Sequence, residues 1–170
     1  MILFLDYDGV LHPNNVFLYG RQPKLHGDGH LFMWAPLLVE ILEPYESLRI
    51  VLSTSWVRAL GFGRARDYLP AKLSGRVIGG TWHRAMGRHE GSSHRLNGNW
   101  YDAATRYEQI ARYISRAEGR AENWLAIDDD TLGWSEEARN NLIETDGRLG
   151  LSRKETQSEL QHKLAGSIQK

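Results

Sequence analysis

Apolar residues along the chain fall into short blocks separated by polar, glycine-rich or turn-forming stretches. Four blocks stand out: ILFL at 2–5, RIVLSTS at 49–55, RVIGGT at 76–81 and NWLAIDDD at 123–130. They are short, lack clean alternation and have helical segments between them, the pattern of strands buried on both faces of a parallel sheet. LIET at 142–145 reads as a fifth, shorter strand. Within 33–48, Trp34, Leu37, Leu38, Ile41 and Leu42 recur at helical spacing, and Pro44 marks the expected end. A second helix is expected over 57–69. A third lies in YDAATRYEQIARYISRAEG (101–119), with Tyr107, Ile110, Ala111 and Ile114 on one stripe and Gly119 as its stop. Ser152 and Glu155 have capping-box spacing ahead of a final helix in ETQSELQHKL (155–164). Strands alternating with helices predict an α/β layered domain.

Two stretches depart from this pattern. Residues 12–32 are rich in Gly, Pro, Asn and His, and residues 82–99 (WHRAMGRHEGSSHRLNGN) in Gly, His and Arg. Both read as loops or small insertions, and both follow the carboxyl end of a predicted strand, where open parallel sheets place ligands. With 170 residues, 41% of them apolar, the chain can bury one sizeable core, so a single domain over 1–170 is expected. The 21 basic and 21 acidic residues balance, so no global positive field draws the protein to nucleic acid or to a membrane. The absence of cysteine excludes a thiolate nucleophile, disulfides and cysteine metal sites. No apolar run has the length of a signal-peptide core or a membrane span, so a cytoplasmic protein without a membrane partner is expected.

The candidate chemistry begins at LDYDGVL. If residues 2–5 form a central strand, Asp6 and Asp8 leave its carboxyl end together, and Gly9 permits the turn that follows. Two such charges about 4 Å apart repel by about 4 kcal/mol at an effective dielectric of about 20, so the pair calls for a cation or a shared proton. Mg²⁺ fits, because it favours carboxylate and carbonyl oxygens together with substrate phosphate.

LDYDGVL, the hydroxyls of IVLSTSW, Arg106 in TRYEQIARYI and the acids of WLAIDDD occur in an order that resembles the haloacid dehalogenase-like (HAD) superfamily of phosphohydrolases. The resemblance spans roughly residues 1–130. It implies a Rossmannoid three-layer fold with a mainly parallel sheet and a small cap or none. It further implies that Asp6 is the nucleophile forming an aspartyl-phosphate and Asp8 the general acid and then base. Thr54, or alternatively Ser53, would hold the phosphoryl group. Arg106 would stand where lysine is commoner, and Asp6, Asp8 through its backbone carbonyl, and Asp128 or Asp129 would hold Mg²⁺, with Asp130 as a spare. More narrowly, LDYDGVLHP, STSW, RVIGGT and IDDD look like a HAD group associated with RNA-repair multidomain proteins, which implies a phosphatase acting on nucleotides or nucleic-acid ends.

Several residues outside these motifs invite functional readings. His83, Arg84, Arg88, His89, His94 and Arg95 would form a local basic patch suited to an anionic leaving group. Their spacing, like that of His26 and His30, is not that of a zinc site. Trp34 and Trp124 fit core positions. Trp56, Trp82 and Trp100 follow strand ends or lie near loops, where core packing is expected and base stacking is the alternative. The insertions are too short for a large cap, so an open site is expected, suited to a phosphorylated small molecule or a nucleic-acid end, or closed by oligomerisation. The rival function is a non-catalytic phosphate- or nucleic-acid-binding module that retains the acids.

Overall fold

The five apolar blocks pair side by side in the computed structural model, which describes residues 1–83, 100–116 and 123–168. In chain order the strands are β1 (Ile2–Leu5), a hairpin of β2 (Val16–Tyr19) and β3 (Gln22–Leu25), β4 (Arg49–Leu52), β5 (Val77–Gly80), β6 (Trp124–Asp128) and β7 (Leu142–Glu144). The main sheet has the order β5-β4-β1-β6-β7, and every pairing within it is parallel.

Alternation along the central strands divides the core into two layers. Leu3 and Leu5, Ile50 and Leu52, and Leu125 and Ile127 pack into one cluster with Leu38, Trp56 and Leu164. Ile2 and Phe4, Val51 and Ala126 pack into the other with Ile110, Trp134 and Ala138. The helices are α1 (Ala35–Leu42), α2 (Ser55–Leu60), α3 (Phe62–Asp67), α4 (Ala71–Ser74), α5 (Trp100–Ala103), α6 (Arg106–Arg116), α7 (Glu136–Arg139) and α8 (Lys154–Ile168). Helices α1, α2 and α8 cover the first face, and α6 and α7 the second. This is the layered α/β architecture expected from the strand and helix pattern, in the three layers that the resemblance implies. Among the described residues no helix is long and apolar enough to cross a membrane.

The helices are more broken than the periodicity predicts. Helix α1 ends at Leu42 with Glu43, still at helical angles (φ −55°, ψ −44°), as its C-cap, and Pro44, which has no N–H to continue the ladder, follows. The segment 57–69 is two helices, parted at Gly61 with φ 93°. The third predicted helix is parted too, because Thr105 opens α6: its N–H donates to Glu108 Oε2 (2.7 Å) and its Oγ1 accepts the Glu108 N–H (3.3 Å). Its expected stop at Gly119 lies outside the described residues. Ser152 makes no capping box with Glu155; a 3₁₀ turn at Gly150–Ser152 precedes α8, and the Ser152 hydroxyl donates to the Leu149 carbonyl. The insertion at 12–32 contains the antiparallel β2–β3 hairpin, whose Arg21 donates to the Leu60 carbonyl (3.2 Å). Of the insertion at 82–99, residues 84–99, including Arg84, Arg88, His89, His94 and Arg95, lie outside the described residues.

Gly9 joins this fold to its acids. It has φ 70°, and a Cβ there would lie 2.5 Å from Asp129 Cγ. Gly20 shares a positive φ (64°), but a Cβ there would have nothing within 4 Å among the described residues. Gly20→Ala should therefore show only the backbone cost, about 1 kcal/mol. Gly9→Ala should lose clearly more, as read from urea-unfolding midpoints of the two variants against the parent.

Candidate active site

The register of the ladder brings the acids together. Leu5 pairs with both Leu52 and Ile127, so the residues that follow, Asp6, Ser53 and Asp128, reach the carboxyl edge at one level. The ladder continues past the strands: the Ser53 N–H donates to Leu5 O (2.9 Å), and the Asp6 N–H to Ile127 O (3.2 Å). Asp6 and Asp128 share the alternation phase of Phe4 and Ala126, so they face the α6 side of the sheet. There the α6 capping box sets Arg106 at the helix start. Its Nε lies 3.0 Å from Asp128 Oδ2 and its Nη2 3.7 Å from Asp6 Oδ2. The Asp128 contact is an ion pair without an aligned hydrogen bond, which leaves both Arg106 Nε and Asp128 Oδ2 without a directed partner among the described residues.

Asp129 is held from outside the sheet. Its Oδ2 accepts from Asn14 Nδ2 (2.9 Å), and with Asp6 and Asp128 it offers carboxylate oxygens all within 4.8 Å of one another. Asp130 is not in that group: its N–H donates to Asp128 Oδ1 (3.0 Å), and its own Oδ1 accepts the Leu132 N–H (3.0 Å). The loop carrying Asp8 is fixed by Thr145, whose buried hydroxyl donates to the Gly9 carbonyl (2.8 Å). The Asp8 carboxylate is not part of the three-acid group, but its charge acts on Asp6 and Asp129. Both of its oxygens accept from Trp56 Nε1 (3.1 and 2.9 Å), and Oδ1 also pairs with His12 Nε2 (3.1 Å).

Ser53 and Thr54 are both buried. Ser53 shares the alternation phase of Val51, on the face of Asp6 and Asp128, and its hydroxyl lacks a hydrogen-bond partner among the described residues. Thr54 is the N-cap of α2, where its Oγ1 accepts the Trp56 N–H (3.4 Å). Each hydroxyl therefore keeps a proton that it can donate. Beside Arg106, a cleft of about 540 Å³ is lined by Ser55, Arg58, Tyr101, Gln109 and Asp130.

The chain matches the family described as "HAD domain in Swiss Army Knife RNA repair proteins" over residues 2–156. It belongs to that family. The searches of curated proteins and of solved structures each gave no match.

The electrostatics of this HAD domain suit a cation. Burial pushes Asp6 up to about 7 against the opposing pull of Arg106, with Asp8 adding to the rise. Burial likewise raises Asp128 well above the usual carboxylate range, helped by Asp6, and raises Asp129. Burial works against the Arg106 charge, but Asp6 and Asp128 outweigh it and hold the guanidinium above its ordinary value. Three carboxylates thus gather where one guanidinium pairs with two of them, and among the described residues the buried Asp6 Oδ1 and Asp128 Oδ2 lack hydrogen-bond donors. Oxygen donors arranged this way fit a hard divalent cation. The motif residues Asp6, Asp128, Asp129 and Arg106 converge, with Ser53 and Thr54 at the adjacent strand end. The roles of His12, Asn14 and Thr145 were not evident in the sequence. Trp56 stood beside the β4 hydroxyls there, but only as a core or stacking residue.

The folded state holds the Asp6 proton more tightly than the unfolded chain does. Protonated Asp6 therefore contributes its full stability below its ordinary pKa of 3.8, and that contribution is lost as pH rises through about 7. In EDTA, Asp6→Asn should melt above the parent at alkaline pH. The gap should close as the pH falls toward 3.8 in paired calorimetric scans.

Proposed function

We propose that this HAD domain is a Mg²⁺-dependent phosphatase that hydrolyses phosphomonoesters through an aspartyl-phosphate on Asp6. The observation that carries the reading is the convergence of Asp6, Asp128 and Asp129 oxygens within 4.8 Å, with the Arg106 guanidinium against two of these acids. Asp6, the Asp8 backbone carbonyl and Asp128 or Asp129 would hold the ion. When bound, Mg²⁺ supplies the positive charge that offsets repulsion between the Asp6 carboxylate and an incoming phosphate.

In the first step an Asp6 carboxylate oxygen attacks phosphorus as the bond from phosphorus to the leaving oxygen breaks, and Asp8 gives that oxygen its proton. In the second step water attacks phosphorus, Asp8 takes a proton from it, and the bond from phosphorus to Asp6 breaks. Thr54, with Ser53 beside it, donates a hydroxyl proton to a phosphoryl oxygen, and Arg106 offsets charge on the transferring group. The leaving group extends into the cleft by Arg58, Tyr101 and Gln109. The family's occurrence in RNA repair proteins favours nucleic-acid ends or nucleotides as substrates.

The test is phosphate release from nucleotides, 3′- and 5′-phosphorylated RNA and DNA oligomers and sugar phosphates. Release should require Mg²⁺, stop with EDTA and fall by about 10³-fold or more in Asp6→Asn. Parental turnover in Asp6→Asn would overturn the nucleophile assignment. Folded protein that retains phosphorylated ligands without releasing phosphate would replace this reading with that of a binding module.

A further inference from the structure

Resting on this reading, we propose that His12 and Trp56 are positioning residues that clamp the Asp8 carboxylate in the orientation needed for proton transfer. A carboxylate is a broad two-fold rotor, and a single flexible Asp at a loop start has no intrinsic reason to aim at a leaving oxygen. Here it has little freedom. The indole Nε1–H of Trp56 forks onto both oxygens at 3.1 and 2.9 Å, and His12 Nε2 lies 3.1 Å from Oδ1.

The direction of the His12 bond follows from its other nitrogen. Nδ1 accepts the backbone N–H of Phe32 at 3.2 Å, so a neutral His12 ring carries its proton on Nε2 and donates it to Asp8. Phe32 aims that N–H from a left-handed backbone conformation, φ 61°, the sole positive φ among the described non-glycine residues. Such a conformation costs a bulky residue free energy and persists where its surroundings impose it. The donors are themselves immobilised. His12 is fully buried, its ring 5.0 Å from Phe32 and 5.8 Å from Trp56. The Trp56 ring meets Tyr7, Phe32 and Tyr68 at 5.1–5.5 Å.

The chain supplies this clamp from three places: i+4 from Asp8 (His12), the first turn of α2 (Trp56) and the loop ahead of α1 (Phe32). The Asp8 side chain remains 26% exposed, so it keeps a path to a ligand while both oxygens are held by donors. With Oδ1 receiving two donors and Oδ2 one, the proton transferred to the leaving oxygen and recovered from water is assigned to Oδ2. A histidine held only for packing would not need its Nε2 on a carboxylate, nor a tryptophan its Nε1 shared between two carboxylate oxygens.

The experiment compares the parent with Trp56→Phe and with Trp56 replaced by β-(3-benzothienyl)alanine, which keeps the indole shape and removes the N–H. Each is assayed with Mg²⁺ on an alkyl phosphate and on 2,4-dinitrophenyl phosphate, whose leaving group needs no proton. For kcat/KM, which reports events through loss of the leaving group, the alkyl ester should slow by about tenfold or more and the dinitrophenyl ester by less than about threefold. In an Asp8→Asn background, removing the Trp56 N–H should cost nothing further. Equal losses on both esters, or a loss that persists in Asp8→Asn, would overturn the proposal.

Nuclear magnetic resonance of the metal-free protein separates failure of the clamp from failure of the phosphatase reading. The Trp56 indole proton should resonate downfield, exchange slowly and shift in Asp8→Asn, and His12 nitrogen shifts should report the Nε2–H tautomer. An unshifted, fast-exchanging indole proton would sink the clamp whatever the enzyme hydrolyses. A protected indole in a protein that hydrolyses nothing would leave the geometry standing and overturn its catalytic purpose.

Discussion

Leu5, hydrogen-bonded on one side to the strand ending in Leu52 and on the other to the strand containing Ile127, sets the level at which chemistry can occur. In a parallel sheet all strands finish on the same edge, so a register fixed by buried aliphatic side chains also fixes which polar residues come next. Slipping either neighbour by one residue would turn its alternating side chains to the opposite layer. Leu3 and Leu5 on one face and Ile2 and Phe4 on the other leave no room for that exchange. The placement of Asp6 beside Asp128 is therefore enforced by packing that contains no polar group.

That enforcement has an electrostatic cost. Carboxylates taken from water resist ionisation, and here Arg106 relieves only part of the strain. Its fork gives one nitrogen to each of two acids, which a lysine ammonium, a compact point charge, would match poorly. Arginine at this position also keeps its charge at any working pH, so the balance of the site is set by its carboxylates and by whatever ion they hold.

Much of this was legible in the sequence because it is local. Asp6, Asp8, Asp128 and Asp129 follow apolar blocks directly, and a block followed by acids reads the same in sequence and in space. Helix breaks were less legible: Gly61 and Thr105 interrupt stretches that each read as one helix. The capping box expected at Ser152 did not form, since a tighter turn claimed its hydroxyl. Least visible were contacts made across the chain. Nothing in LDYDGVLH states that the histidine turns back onto the second aspartate, because that depends on Phe32 taking up an unfavourable backbone angle twenty residues later. Trp56 looked like packing and is packing, with its single polar atom directed to Asp8.

The bond from Thr145 to the Gly9 carbonyl spans 136 residues, and it is not alone. The Asn14 N–H reaches Gly147 O, and the Leu151 N–H reaches Val10 O. The turn that carries Asp8 is thus laced to a segment made near the other end of the chain. Closing loops of this length is entropically slow, and such contacts form after local ones. A folding intermediate with β1 and β4 paired but residues 145–151 not yet docked therefore carries both aspartates of LDYDGVL on a loop still untied at Gly9, Val10 and Asn14.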